Sequence, residues 1–304
     1  MRIYSGTSNL PLAHELCNLL DEPLSDAGIK RFADGEPFIN LMVTTRGYHS
    51  VIMQSLSHPF AENLMDACMM VQAAHLNGAK NITAVIPYYG GARQDRRMKG
   101  TRSAITAKLV ADVLYNAGAK QIVTVDIHNP AIEGFFDGPF RNVAATKLFA
   151  EDIRKNHDLD DAIIVSPDAG GTERAKLLAD ELELDFAVCY KRRIEANSVA
   201  EIRLIGDVNG KNVIVLDDMA DTCGTLTKCL EVLGKGGAKS IVFYATHGVF
   251  SKNAIERIEQ TDALSEVVVT NTIMHLEADK ISKIRRLSIA PLLAEGIRRS
   301  TAER

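Results

Sequence analysis

The apolar runs of this sequence are continuous. "SVIMQS", "NITAVIPY", "QIVTVDI", "DAIIVSP", "DFAVCY", "NVIVLDD", "SIVFYATHG" and "EVVVTNT" lack the regular apolar–polar alternation of a strand that turns one face to water. Strands of this kind are buried on both faces, which requires a largely parallel sheet covered by helices. The stretches between them carry helical spacing, among them "AENLMDACMMVQAAHLNGA", "ITAKLVADVLYNAGA", "TERAKLLADELE" and "TLTKCLEVLGKGGA". Several of these helices end in a glycine just before the next strand, the expected C-terminal stop. The fold class is therefore α/β.

At 304 residues the chain is long enough for two domains, taking roughly 100–200 residues for each. An internal echo suggests a duplicated domain. "VIPYYGGARQDR" (85–96) resembles "IVSPDAGGTERAK" (164–176), and "IVTVDIHNP" resembles "VIVLDDMAD", at offsets of about eighty to ninety residues. We place the domains at residues 1–143 and 144–287, each a mainly parallel sheet flanked by helices. Residues 288–304 read as a closing helix that returns to the first domain.

A formal net charge of −4 provides no global field for nucleic acid, so an anionic ligand needs local basic residues. The five cysteines, Cys17, Cys68, Cys189, Cys223 and Cys229, are an odd number without CxxC spacing. That argues against a disulfide framework or a zinc site and for a reducing compartment. No apolar run is long enough to span a bilayer. The expected setting is the cytoplasm, with no membrane partner.

One loop concentrates the chemistry. In "VIVLDDMADTCGT" an aliphatic run meets Asp217 and Asp218; Asp221 follows, then Thr222, Cys223, Gly224 and Thr225 lead into a helical stretch. Ligands of an open parallel sheet bind outside the carboxyl ends of its strands, where this loop lies. Backbone amides, hydroxyls and the positive end of a helix dipole suit a phosphate monoester. The paired carboxylates suit the vicinal hydroxyls of a ribose. Acids at one end and an amide cradle at the other describe a sugar phosphate, and the absence of GxxxxGK[ST] excludes a Walker P-loop. Any single acid here reads equally well as a turn former or cap; the set in this order does not.

"VIVLDDMADTCGT" resembles the phosphoribosyl-binding motif of type I phosphoribosyltransferase folds. Nearly from end to end the chain is similar to the ribose-phosphate diphosphokinase (phosphoribosyl pyrophosphate synthetase) family. The matches are "FADGE" (32–36), "NLM" (63–65), "VIPYYGGARQDRR", "ITAKLVAD", "VDIHNPAIEGFFDGP", "VSPDAGGTERAK", "YKRRIEAN", "GDVNGKNVIVLDDMADTCGT" and "ATHGVFS". The resemblance implies two tandem phosphoribosyltransferase-like domains and transfer of the β,γ-diphosphoryl group of ATP to the 1-hydroxyl of ribose 5-phosphate.

The same resemblance assigns roles. Lys191 and Arg193 match the two cations of a catalytic loop; Arg192 is given no role. His128 and Asp168 match magnesium ligands, with Asp126 and Asp137 as outer-shell or second-ion partners. On residue chemistry alone His128 reads as a hydrogen-bonded loop histidine, because Mg²⁺ prefers oxygen ligands. For ATP, Phe32 and Arg93 are expected on the two faces of adenine. Asp34, Gly35 and Glu36 carry the rest of "FADGE", Gln94 and Asp95 add polar contacts, and Arg96 is placed at the triphosphate. The family draws "FADGE" from a neighbouring subunit, which implies a homo-oligomer, a hexamer or a smaller assembly. Ala61-Glu62 and Arg141 depart from the family's usual residues. Two other readings keep most of these matches: a larger acceptor such as ADP-ribose, and a non-catalytic regulatory subunit.

Overall fold

The computed structural model describes residues 1–192 and 201–301, which form two compact units. The first contains β1 (Arg2–Ser5), α1 (Leu10–Leu20), β2 (Ala27–Arg31), β3 (Pro37–Leu41), β4 (His49–Met53) and α2 (Phe60–Leu76). It continues through β5 (Asn81–Ile86), α3 (Thr106–Ala117), β6 (Gln121–Val125) and β7 (Phe140–Val143). The sheet has the order β1-β4-β5-β6-β7 and is parallel throughout. β2 and β3 form a separate antiparallel hairpin. Its Ile29 and Ile39 pack on a core that includes Met70 and Val71 of α2, Leu114 of α3, and Ile52, Ala84 and Ile122 of the sheet.

The second unit contains α4 (Thr146–Asn156), β8 (Ala162–Ser166), α5 (Thr172–Leu182), β9 (Asp185–Arg192), β10 (Glu201–Ile205) and β11 (Asn212–Ala220). α6 (Gly224–Lys235), β12 (Ser240–Gly248), α7 (Ala254–Gln260), β13 (Glu266–Thr270) and β14 (Ile284–Leu287) complete it. Its sheet has the order β10-β9-β8-β11-β12-β13-β14, with only β9 and β10 antiparallel. The continuous apolar runs form the central strands of both sheets, where Val213, Val215, Phe243, Val267 and Val269 are fully buried. The short strands β1, β7 and β14, four residues each, gave no comparable signal because each mixes polar with apolar residues.

The last helix, α8 (Ala290–Thr301), belongs to the first unit. It lies against α1, β6 and β7. A side chain on Gly296 would come within 3.2 Å of Val123 and Val143, so glycine lets the helix approach the sheet closely. Thr272–Met274, inside the stretch the sequence assigns to the second domain, also belongs to the first unit. There the Ser55 hydroxyl donates to the Thr272 carbonyl at 2.5 Å.

The two units repeat one topology, at a different offset from the sequence echo. β1-β4-β5-β6-β7 corresponds strand for strand to β8-β11-β12-β13-β14. Backbone hydrogen bonds recur at matching places: Gly47 N to Gly78 O and Gly210 N to Gly237 O; Lys80 N to Tyr48 O and Lys239 N to Lys211 O. The true offset in this region is thus about 160 residues. The echo pairs β5 with β8 because both lead into Gly-Gly turns before a helix, not because they are equivalent strands. In the second unit the chain leaves β8 for β9 on one side and returns to β11 on the other. The sheet's topological switch point therefore lies between β8 and β11, where an open α/β sheet binds its ligand.

Candidate active site

The acids of the sequence motif stand at that switch point. Strand pairing continues past them, with Asp217 opposite Ala245 and Ala220 opposite Gly248. Asp217 and Asp218 therefore lie within β11 rather than at its end, and Asp221 follows directly after it. Asp218 is buried, and its backbone N–H donates to Asp217 Oδ1 at 2.8 Å. Burial and the adjacent Asp218 charge raise the Asp217 pKa well above the usual carboxylate value, and Asp168 adds to the effect.

Asp168, at the carboxyl end of β8, is drawn to the same place. Its Oδ1 accepts from the backbone N–H groups of Gly170 at 2.8 Å and Gly171 at 3.0 Å. A side chain on Gly171 would press on the Ser166 hydroxyl at 2.8 Å and touch Asp217 Oδ1 at 3.7 Å and Asp168 Oδ1 at 3.9 Å. Glycine there lets the two carboxylates approach one floor. Arg174, in the first turn of α5, brings Nη1 to 3.9 Å from Asp218 Oδ1 and 4.0 Å from Asp217 Oδ1. The sequence reading gave Arg174 no role, although it lies inside "GGTERAK".

The loop after β11 turns sharply at Cys223, whose φ of 56° lies in the left-handed region. Such a conformation costs a non-glycine residue roughly 1–2 kcal/mol. Burial pushes the Cys223 thiol pKa up to about 12, so it serves as a small apolar group in the turn. The N-cap residue of α6, Cys223, makes no side-chain cap hydrogen bond, and no acid occupies the helix's first turn. A helix start of that kind favours an anion through its amides and dipole. Arg257 of α7 donates from Nη1 to the Thr222 carbonyl at 2.8 Å.

The first unit gathers a second set of the named residues. Asp95 and Arg96 form a two-point ion pair, Nε to Oδ1 at 2.8 Å and Nη2 to Oδ2 at 2.9 Å. The Asn129 amide also donates to Asp95 Oδ2. These bonds, Arg96's first, hold the Asp95 carboxyl below its usual range. They join the "GGARQDR" loop to the loop of His128, which is exposed. Gln94 Oε1 accepts from the Thr106 hydroxyl at 2.5 Å. Sequence spacing could not reveal the link to Asn129, because it joins loops that follow different strands.

"FADGE" forms the tip of the β2–β3 hairpin. Phe32 N donates to Glu36 O, Gly35 N to Phe32 O, and Glu36 N to Asp34 Oδ1. Gly35 has φ 93°, a conformation that glycine adopts at little cost. Phe32 is 56% exposed and meets Phe38 of the same hairpin edge-on, with ring centroids 5.8 Å apart. Lys191 lies in β9 opposite Ile202. Arg193 lies outside the described residues.

Residues 1–118 match the family model described as the N-terminal domain of ribose phosphate pyrophosphokinase, and residues 192–303 match the phosphoribosyl synthetase-associated domain. A ribose-phosphate pyrophosphokinase of Ralstonia nicotianae is 45% identical, over 97% of this chain and 93% of the relative. One from Aquifex aeolicus is 43% identical, over 98% of this chain and 95% of the relative. The chain belongs to the ribose-phosphate pyrophosphokinase family. The crystal structure of phosphoribosylpyrophosphate synthetase from Mycobacterium smegmatis, 38% identical, superposes with a TM-score of 0.93 over 98% of both chains. That agreement extends the pyrophosphokinase fold to both units, including the closing helix.

Proposed function

We propose that this chain transfers the β,γ-diphosphoryl group of ATP to the 1-hydroxyl of ribose 5-phosphate, giving 5-phosphoribosyl 1-diphosphate and AMP. The observation that carries the reading is the acid pair Asp217–Asp218 beside an uncapped helix start at the switch point of the second sheet. The carboxylates of Asp217 and Asp218 accept from the ribose hydroxyls, while backbone amides and hydroxyls of the 221–225 segment hold the 5-phosphate. The anomeric hydroxyl then loses its proton to solvent as its oxygen bonds to the β-phosphorus, the bond from that phosphorus to the α,β-bridging oxygen breaks, and AMP departs with that oxygen. Such a displacement on a highly charged centre depends on positioning and charge neutralisation. Lys191 and Arg193 supply the cations.

His128 and Asp168 would hold Mg²⁺. The fit rests on Asp168, whose carboxylate is oriented by two amides, and on magnesium's habit of keeping waters and taking one or two protein ligands. When bound, the ion neutralises phosphate charge. Phe32 and Arg93 enclose the adenine. Asp34, Gly35 and Glu36 meet its polar edge or the nucleotide ribose, and Gln94, Asp95 and Arg96 complete the nucleotide site. The exposed hairpin tip suits delivery to a neighbouring copy, so the working form is a homo-oligomer.

The test is product analysis by mass. ATP, Mg²⁺ and ribose 5-phosphate should give AMP and 5-phosphoribosyl 1-diphosphate, while ADP-ribose in place of the sugar phosphate should give neither. AMP with neither acceptor would overturn the reading. Lys191→Ala should lose turnover while keeping the fold; wild-type rates in that variant would remove Lys191 from the mechanism.

A further inference from the structure

The 222–225 loop has an electrostatic difficulty. It is asked to hold a phosphate dianion close to Asp217, Asp218 and Asp221, three acids of the same segment. Amides and a helix dipole offset part of that repulsion, but the dipole's contribution at an exposed terminus is modest. Arg174 is directed at Asp217 and Asp218. Lys228, on α6 itself, is exposed. Arg257 approaches the loop from another element.

Arg257 comes from α7, 35 residues along the chain from Thr222. Its Nη1 donates to the Thr222 carbonyl at 2.8 Å, and the same nitrogen lies 3.4 Å from where a Gly224 side chain would begin. The guanidinium therefore brackets Cys223, the residue held in the left-handed region. One hydrogen bond restrains the turn that aims the amides, and a permanent positive charge sits beside them. Arginine suits both tasks, since its guanidinium is always ionised and presents several donors in a rigid plane.

We propose that Arg257 is the cation of the sugar-phosphate loop, positioning the Thr222–Gly224 turn and balancing the charge of the bound 5-phosphate. This rests on the assignment of that loop to ribose 5-phosphate. The role belongs to substrate binding rather than to the transfer step, so it should appear in one KM and not in the other.

Two variants separate charge from shape. Arg257 is exposed, so neither replacement disturbs the core. Arg257→Gln keeps a donor but removes the charge, and should raise the KM for ribose 5-phosphate at least tenfold. Its KM for ATP should stay within twofold and kcat within about threefold. Arg257→Lys keeps the charge and should recover the sugar-phosphate KM to within about threefold of wild type. The proposal fails if Arg257→Gln binds the sugar phosphate normally, if both KM values rise together, or if Arg257→Lys is as impaired as Arg257→Gln. Failure of the wild-type protein to form AMP in a ribose 5-phosphate-dependent manner would instead remove the loop assignment beneath it.

Discussion

Asp218 is the residue whose environment is most specialised: a buried carboxylate beside a second carboxylate whose pKa is already raised. Such an arrangement destabilises the empty site and favours a ligand that donates hydrogen bonds. A hydrogen bond to a charged group is worth about 1.5–3 kcal/mol. Asp218→Asn should therefore raise the KM for ribose 5-phosphate by about 10- to 100-fold, with the ATP KM little changed. Steady-state kinetics with each substrate varied in turn checks this, and an unchanged sugar KM would remove Asp218 from the site. Away from the site, Glu183 closes α5 at φ 56° with its side chain exposed. Glu183→Gly relieves that conformation and should stabilise the fold by about 1 kcal/mol, seen as a rise of a few degrees in melting temperature. The acids were legible in the sequence because they are consecutive and sit where a buried strand meets small residues. Arg174 and Arg257 were not legible as partners, because each approaches the acidic segment from a separate helix.

Among the elements, the two hairpins carry much of the proposed catalytic chemistry. β2–β3 and β9–β10 follow equivalent helices, α1 and α5, in the repeated topology. One presents "FADGE" and the other contains Lys191. The first is fixed to α2 through Arg31, whose Nη2 meets Asp66 Oδ2 at 2.8 Å, and Asp66 is only 1% exposed. Removing one partner strands a buried charge, although Arg31 is partly solvated. Arg31→Ala should accordingly cost about 2–3 kcal/mol in denaturant unfolding. A loss below 0.5 kcal/mol would show that the hairpin's apolar face alone holds it. In the second unit, Arg285 of β14 makes a two-point bond to Asp152 of α4, at 2.6 and 2.8 Å, and a third bond to Glu266 at 2.8 Å. Burial opposes ionisation of Asp152, but the Arg285 and Tyr244 hydrogen bonds prevail and hold its pKa below the ordinary 3.8. Because the folded value is the lower one, the stabilisation is complete above about pH 4 and is lost as pH falls through the folded pKa. Arg285→Met should cost about 3 kcal/mol at pH 7, and the gap from wild type should narrow towards pH 3. An unchanging gap would mean that packing, not charge, is lost.

For the whole molecule, the duplication raises the question of why only one unit is expected to hold the sugar phosphate. Aligning β4 with β11 places Gln54 where Asp217 stands and Ser55 where Asp218 stands. In the first unit these positions are filled from within. Gln54, 1% exposed, accepts from the Ser8 hydroxyl at 2.7 Å and donates to Asn63 Oδ1 at 3.1 Å. A side chain on Gly6 would collide with it at 2.2 Å. Ser55 is likewise buried and bonded, through N–H to Ser8 Oγ and through its hydroxyl to Thr272 O. An amide and a hydroxyl that complete their own bonds give a sugar no acceptors, whereas adjacent carboxylates retain acceptor capacity. The parallel α/β class was readable from the continuous strands. The correct repeat was not, because equivalent strands share topology and hydrogen bonds while their loops have diverged in sequence. Ribose 5-phosphate should therefore bind once per chain in equilibrium dialysis, and Asp218→Asn should weaken that single site instead of exposing a second. Two equivalents per wild-type chain would mean that the Gln54 cluster opens, contrary to its closed hydrogen bonding.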